Sequence, residues 1–209
     1  MKRVFLVKRN SFALHLLLVG CFMTTLSLGQ TTDSSPKSSI GTLGAAVFVI
    51  ETVEKGKGAE KAGLKIGDTI LEVNEQGFSS LGQFNSLFST NRATEIRLSQ
   101  INNGKRGSRK VMLQNIASYN DLGAIGTLGL FVRKVHPDSP ASNAGFQSGD
   151  VILEVDGKPF SSLNDVNELL IMREAGTQLT LKVQRLDESG VHRYSLSIKT
   201  VPFSAIPRQ

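Results

Sequence analysis

Residue types that could carry out nucleophilic catalysis are scarce in this chain. His136, Asp138 and Ser139 lie within four positions of one another, and these are the residue types of a hydrolytic triad. Triad members meet through the fold, however, and neighbours on one loop rarely align, so this spacing favours a surface loop. His192 lies among polar residues of a predicted hairpin strand and is expected to be exposed. The sequence therefore predicts no catalytic residues, and we expect a protein that is not an enzyme.

Ligands for a metal ion are equally scarce. Cys21 is the only cysteine, so no disulfide can form within the chain. Outside the N-terminal segment the only histidines are His136 and His192, and this pair does not match the spacing of zinc ligands. We expect no metal and no cofactor.

The elements that must position any site come in two copies. Residues 58–78 and 139–160 repeat one another, and Gly63 of the first copy returns as Gly145, 82 positions later. Two copies at so long a period indicate two tandem domains rather than a solenoid, whose units are about 20 to 50 residues. The other matching pairs are Ala59 and Ala141, Ala62 and Ala144, Gly67 and Gly149, Asp68 and Asp150, Ile70 and Ile152, Leu71 and Leu153, Glu72 and Glu154, Val73 and Val155, and Phe78 and Phe160.

Each copy is predicted to contain a short helical turn, ended by a glycine, and then a buried strand. Glycine takes the left-handed conformation that ends such a turn without a steric penalty. The β-branched runs at residues 69–73 and 151–155 are typical of buried strands. Asp68 and Asp150 lie in the turn before these strands, where Asx side chains accept backbone hydrogen bonds. We therefore interpret both aspartates as structural rather than catalytic.

The second copy contains Ser139-Pro-Ala141, Gly149-Asp150 and Asp156-Gly-Lys-Pro159. This pattern resembles the PDZ domains of bacterial HtrA-type envelope proteases and C-terminal processing peptidases. The first copy departs from the pattern at Lys57-Gly58 and at Asn74-Glu-Gln-Gly77. The resemblance implies an α+β fold of two tandem PDZ-like domains without a protease domain. Each would be a small, partly open β-barrel or sandwich of roughly five or six strands with two short helices.

The length of 209 residues and the hydrophobic content of 40% allow two small cores. Tyr119 to Gly123 is predicted to be a short link between the domains. The predicted boundaries are a signal peptide at 1–29, or 1–20 if Cys21 is lipidated, a flexible linker at 30–39, a first domain at 40–117, a second domain at 124–201 and an extended or disordered tail at 202–209.

Both copies open with Gly-Thr-Leu-Gly, at residues 41–44 and 126–129. These tetrapeptides are 85 positions apart, so the first copy is predicted to carry three extra residues before Val53. In PDZ domains the loop at this place receives the C-terminal carboxylate of a peptide on its backbone N–H groups, which glycine leaves accessible. By this resemblance the carboxylate-binding loops are Thr42, Leu43, Gly44 and Ala45 in the first domain and Thr127, Leu128, Gly129 and Leu130 in the second.

The strand after each loop would offer one edge to an added peptide strand. Main-chain hydrogen bonds then give affinity, and side-chain pockets give specificity. The opposite wall is a helix, at residues 79–88 or 161–170, with N-capping serines and one apolar stripe. The predicted groove strand is Phe131, Val132 and Arg133, and the predicted groove-helix residues are Leu81, Phe84, Leu163, Val166 and Leu170.

Each domain is predicted to close with a hairpin of alternating apolar and polar residues, at residues 95–113 and 178–198. The basic cluster of Lys105, Arg106, Arg109 and Lys110 at the first hairpin is typical of a solvated turn. Contact with anionic lipid is the alternative if Cys21 is acylated. Four of the basic residues behind the net charge of +6 lie in the first ten positions, which leaves +2 for the remainder. This small charge argues against a nucleic-acid partner.

The N-terminus has the anatomy of an export signal. Residues 1–10 are basic, and residues 11–23 are apolar except for His15. This apolar run is shorter than the roughly 20 residues of a membrane-spanning helix. An uncleaved anchor would require residues 12–28 to span the bilayer.

Two processing outcomes of this segment stay open. Ser27-Leu-Gly29 suits a general signal peptidase and gives a mature start at Gln30. Leu18-Val-Gly-Cys21 resembles a lipobox, after which lipidated Cys21 would anchor the chain to a bacterial membrane. The apolar run continues through Phe22-Met23, where lipoproteins usually turn polar, and this favours soluble export.

The sequence thus predicts an exported, non-enzymatic adaptor or scaffold of the periplasm or cell envelope that binds C-termini or extended protein segments. An envelope protease is the other expected partner, and the membrane is a partner only through a lipid anchor. One alternative is a structural protein that assembles through closed PDZ grooves, and another is the regulatory subunit of a separately encoded protease. The edge of residues 131–135, open or already paired, discriminates between binding and structural roles.

Overall fold

A computed structural model describes residues 38–88, 94–102 and 105–206. Up to residue 113 the elements are β1 (Ser38–Ser39), β2 (Thr42–Val53), α1 (Gly58–Lys61), β3 (Thr69–Val73), α2 (Leu81–Ser86), β4 (Thr94–Asn102) and β5 (Lys105–Leu113). The elements that follow are α3 (Tyr119–Leu122), β6 (Ala124–Val135), α4 (Pro140–Asn143), β7 (Val151–Val155), β8 (Lys158–Pro159), α5 (Leu163–Val166), a π-helical turn (Asn167–Ile171), β9 (Gln178–Asp187), β10 (Gly190–Lys199), β11 (Val201–Pro202) and a 3-10 turn (Phe203–Ala205). Within these residues no helix has the length and apolar character needed to cross a membrane.

One nine-stranded antiparallel sheet runs through both halves of the chain. Its strand order is β10-β9-β7-β6-β2-β3-β4-β5, and β8 pairs with β7. The centre of the sheet is the pairing of β2 with β6, in which Thr42 lies opposite Val135 and Val53 lies opposite Ala124. The predicted α+β fold of two tandem domains is confirmed, and the central pairing joins the two domains into one sheet.

A pseudo-two-fold axis relates the two domains. Val47 pairs with Gly129, and Ser80 forms an isolated bridge with Ser162. In both pairs the partners are 82 positions apart, so each residue faces its own counterpart, as residues on a two-fold axis do. The same offset of 82 relates the two ends of the β2–β6 pairing.

This offset corrects the alignment of the two Gly-Thr-Leu-Gly tetrapeptides. In the central pairing Gly44 lies opposite Val132, and Gly126 lies opposite Ile50. A shift of 82 positions turns the first pair into the second, so Gly44 is the counterpart of Gly126. The prediction of three extra residues before Val53 is therefore wrong. The two tetrapeptides have the same sequence but occupy different positions in their strands. The register of β2 against β6 follows the offset of 82 that relates the rest of the repeat.

The beginning of the first copy packs into the second domain. β1 pairs with β11, the Ile40 carbonyl accepts a hydrogen bond from the Ala141 amide over 2.8 Å, and the Gly41 carbonyl accepts one from the His136 amide over 2.8 Å. The prediction of a flexible linker up to residue 39 is thus wrong for Ser38–Ser39, because this pair of residues is a strand of the second domain.

Residues that precede β6 pack into the first domain in the same way. At the beginning of β6, the Gly123 carbonyl accepts a hydrogen bond from the Glu54 amide of the first domain over 2.7 Å. The predicted link between the domains forms α3, whose capping box joins Ser118 and Asp121. Hydrogen bonds from Ser118 and the Ala117 amide lower the pKa of the Asp121 carboxyl. Each domain is therefore completed by residues that precede the other domain's central strand.

The core follows from the alternation of side chains along β2. Phe48 and Ile50 point into the main core, where the Phe48 ring stacks on Phe84 of α2 with centroids 4.2 Å apart. Val47 and Val49 point to the opposite face and pack against residues of β7. Both faces of the central pairing are thus buried.

The helix caps and hairpins, which depend on residues close together in the sequence, form in the structure as predicted. Ser80 and Ser162 cap α2 and α5 by accepting hydrogen bonds from Gln83 and Asp165 amides. The predicted hairpins form as β4–β5 and β9–β10. The predicted disordered tail is wrong for its first part, because β11 and the 3-10 turn occupy residues 201–205.

A glycine on the central pairing tests the shared sheet. A Cβ at Gly126 would overlap the Val49 carbonyl oxygen and the Phe48 ring, and backbone cannot yield as a flexible side chain does. We expect Gly126→Ala to lower the free energy of unfolding by about 1 to 3 kcal/mol, measured by urea denaturation of the full chain. The matched control is Gly107→Ala in β5, where a Cβ meets open space. Equal stability of the two variants would contradict the β2–β6 pairing.

Candidate functional site

The residues of the triad type do not form a catalytic arrangement. Ser139 is buried and caps α4 by accepting a hydrogen bond from the Ser142 amide. The Nδ1 atom of His136 is buried without a hydrogen-bond partner, and Asp138 is exposed with a φ of 57°. In His192, Nε2 lies 2.7 Å from the Ser189 hydroxyl on an exposed turn. Among the residues that the structure describes, no group of three or more His, Cys, Asp or Glu side chains could hold a metal ion.

Asp150 has the structural role that its turn position indicates. Its carboxylate accepts a hydrogen bond from the Gln147 amide over 2.9 Å and two from Arg185, each over 2.7 Å. Arg185 also lies over the Tyr194 ring, 5.3 Å from the centroid. The hydrogen bond to Asp150 is the main cause that raises the pKa of Arg185. The pair holds β9 against the turn before β7.

The residues predicted to form carboxylate-binding loops lie in strands. Thr42, Leu43, Gly44 and Ala45 belong to β2, and Thr127, Leu128, Gly129 and Leu130 belong to β6. All eight pair across the central register, so the loop prediction is wrong. A Cβ at Gly129 would overlap the Val151 side chain, and a substitution there would therefore test packing rather than carboxylate binding. The turn with positive φ occurs earlier, at Gly41 and Gly123 (φ 83° and 65°).

The predicted groove strand is also occupied. Phe131 pairs with Ala45 on one side and with Val151 on the other. Val132 pairs with Gly44, and its amide donates to the Asp150 carbonyl over 2.8 Å. Arg133 is the extra residue at the irregularity where the register with β2 shifts. Residues 131–132 have partners at both edges, so they cannot receive a peptide strand.

The groove-helix residues divide by burial. Phe84 is 0% exposed, and Val166 and Leu170 are also buried. The prediction that these three line an accessible groove is wrong, because they fill the core. Leu81 and Leu163, one turn earlier, are partly buried at the packing boundary. These two remain candidates for contact with a ligand.

The structure leaves two other strand edges available. The amide and carbonyl of Ile50 bond to the turn before β3, and backbone groups of alternate residues face the same edge of a strand. The amides and carbonyls of Thr42 and Gly44 therefore face away from β6, at a place beyond the end of β3. We call the outward side of residues 42–45 the Thr42 edge.

The same reasoning applies to β6. Val132 bonds to the turn before β7, so the backbone groups of Ala124 and Gly126 face away from β2. We call the outward side of residues 124–127 the Ala124 edge. Among the residues that the structure describes, neither edge pairs with a further strand.

A helix accompanies the Thr42 edge. α5 begins beside Ser162 on the pseudo-two-fold axis, and its π-helical continuation ends near β1, where the Leu170 carbonyl accepts a hydrogen bond from Ser38 over 3.4 Å. The helix thus runs from the axis toward β1, the strand that precedes β2. The segment that leads into the Thr42 edge thus contacts the helix of the second copy, and we take the strand of the first copy and this helix as a candidate groove.

Comparison with known proteins identifies the family. A family model described as PDZ domain matches residues 25–114, and another with the same description matches residues 131–185. The chain belongs to the PDZ family and contains two tandem PDZ domains. No protease domain is found within its 209 residues.

Relatives with these domains are larger proteins. The probable periplasmic serine protease do/HhoA-like of Haemophilus influenzae is 30% identical over 151 residues, which are 64% of this chain and 32% of that protein. The periplasmic pH-dependent serine endoprotease DegQ of Escherichia coli is 28% identical over 160 residues, which are 68% and 34% respectively. The serine protease Do-like HtrB of Bacillus subtilis is 28% identical over 151 residues, which are 66% and 32%. The chain spans about a third of the length of these relatives. Membership of the PDZ family supports a peptide-binding role.

The two turn aspartates provide a matched test of the Asp150–Arg185 pair. Asp150 is fully buried, whereas the Asp68 side chain is 26% exposed and its oxygen lies 3.8 Å from Arg109. We expect Asp150→Asn to cost about 3 to 5 kcal/mol, because it leaves Arg185 without its buried counter-charge. Asp68→Asn is expected to cost about 1 kcal/mol or less. Urea denaturation of both variants measures the difference, and equal losses would contradict the structural role assigned to Asp150.

Proposed function

We propose that this protein is a non-enzymatic peptide-binding adaptor or scaffold. It captures C-termini or extended segments of other proteins by strand addition. The observation that carries this proposal is the Thr42 edge, a strand edge without a strand partner among the described residues that has the helical wall of the second domain beside it. Main-chain hydrogen bonds to such an edge give affinity with little dependence on sequence.

The surroundings of this edge suit an extended, partly apolar ligand. Gly44 is exposed, so a ligand backbone can approach it closely. Leu43 is 56% exposed on the same segment, and Leu163 is partly buried at the start of the helix. We place the ligand's C-terminal carboxylate at the outward N–H group of Thr42, directly after the turn at Gly41 with its positive φ.

Export to the periplasm or cell envelope is part of the proposal. The signal peptide at 1–29 and the alternative lipidation of Cys21 fall outside the described residues. The relatives from Haemophilus influenzae and Escherichia coli carry the word periplasmic in their names, which supports the compartment. A protease of the envelope is the proposed partner to which captured proteins are delivered, and a role as its regulatory subunit is the alternative.

A structural role is the competing proposal. It is favoured by one observation, the pairing of Phe131 and Val132 on both sides, which closes the edge first expected to bind peptide. In that role the shared sheet is a rigid spacer, and the protein assembles with partners through other surfaces.

Peptide binding at the Thr42 edge can be tested on the full chain with a library of peptides that have free C-termini. We expect Thr42→Pro to weaken binding of the selected peptides about tenfold, because proline removes one outward N–H donor. Thr42→Val keeps the N–H and is the matched control, with unchanged binding. Peptides that are amidated at the C-terminus or N-methylated at alternate amides should bind weakly.

Thermal unfolding of both variants verifies that they are folded. If the folded wild-type chain selects no peptide from the library, the binding proposal is wrong and the structural role is favoured.

A further inference from the structure

The Ala124 edge begins with a contact that uses one of its acceptors. The Tyr119 hydroxyl of α3 donates a hydrogen bond to the Ala124 carbonyl over 2.7 Å. Because the backbone of Ala124 faces away from β2, this carbonyl is the first acceptor that an added strand would use there. The position 82 residues before Tyr119 is Lys37, which lies outside the described residues, so the repeat does not give Tyr119 an aromatic counterpart in the sequence.

The ring of the same tyrosine contacts the helical side of the first domain. Its centroid lies 5.8 Å from that of Phe84 in α2 and 6.1 Å from that of Phe88 just after it, both in edge-to-face geometry. Such aromatic pairs are favourable beyond the area they bury. Tyr119 thus contacts the helix with its ring and β6 with its hydroxyl. It bridges the two elements between which a peptide strand would have to insert.

The exposure of residues along the two edges agrees with a covered Ala124 edge and an open Thr42 edge. Ala124 is 3% exposed, whereas its counterpart Thr42 is partly exposed. Gly126 is partly exposed, whereas its counterpart Gly44 is exposed. Burial also raises the pKa of the Tyr119 hydroxyl, so the hydroxyl keeps its proton at neutral pH and remains a donor.

We propose that Tyr119 is an internal plug of the first-domain groove. With Tyr119 in place only the Thr42 edge takes a peptide, and the Ala124 edge becomes available when the Tyr119 side chain is removed. The place that it leaves is walled by Phe48, Phe84 and Phe88, so the ligand that it then takes is an extended peptide with an aromatic side chain. This inference rests on the proposed function, since it assigns which of the two edges performs it.

The experiment counts the peptides bound per full chain by calorimetry. The probes are library peptides with a free C-terminus and a Phe or Tyr side chain. We expect one peptide per wild-type chain and two per Tyr119→Ala chain. Tyr119→Phe keeps the ring between helix and strand and should stay at one. Tyr194→Ala removes the other tyrosine of the chain, which lies under Arg185, and should also stay at one.

The outcomes separate this inference from the proposed function. Two peptides on the wild-type chain, or one on a folded Tyr119→Ala chain, would overturn the plug while peptide binding stands. No peptide on any folded variant would overturn peptide binding, and the plug with it. If Tyr119→Ala does not fold, hydrogen exchange of the wild-type chain saturated with peptide decides. Protection of residues 42–45 without protection of residues 124–127 supports the plug, and equal protection of both overturns it.

Discussion

The antiparallel pairing of β2 with β6 is the interaction on which the rest of this structure depends. Both strands are 12 residues long, and their middle residues, Val47 and Gly129, face each other on the pseudo-two-fold axis. The first half of each strand therefore lies in one domain and the second half in the other. Close approach at this pairing requires glycine at 126, where a side chain would overlap the Val49 carbonyl. Neither domain has a complete sheet without the other.

This pairing also determines where a peptide strand can be added. It supplies a partner to residues 131–132, whose other edge already bonds to the turn and strand of β7. It leaves the Thr42 edge and the Ala124 edge, each beyond the end of the neighbouring strand. A groove at either edge combines a strand from one copy with a helix from the other. Binding and the association of the domains are thus physically linked, because the same strands carry both.

The two copies share a backbone plan and differ in the side chains placed on it. Asp150 is fully buried and bonded to Arg185, whereas Asp68 is partly exposed and only near Arg109. Tyr119 covers the beginning of the Ala124 edge, and the residue 82 positions before it in the sequence is Lys37, which is not aromatic. Symmetry of the backbone therefore does not imply two equal sites. The Thr42 edge, beside the helix of the second domain, is the more exposed of the two.

The sequence by itself determined the features that rest on near neighbours: the period of 82, the serine caps of α2 and α5, the turn aspartates and the hairpins. Caps, turns and alternation act over a few residues, so their chemistry is visible in the chain. Only the tertiary structure decided which strands meet, because main-chain hydrogen bonds carry no residue identity and β2 can pair with any suitable edge. It likewise decided the burial of Phe84, which contacts Phe48 and Tyr119, both distant in sequence. For this reason the strand edge that is open to a peptide lies at Thr42, and not at Phe131 where the sequence predicted it.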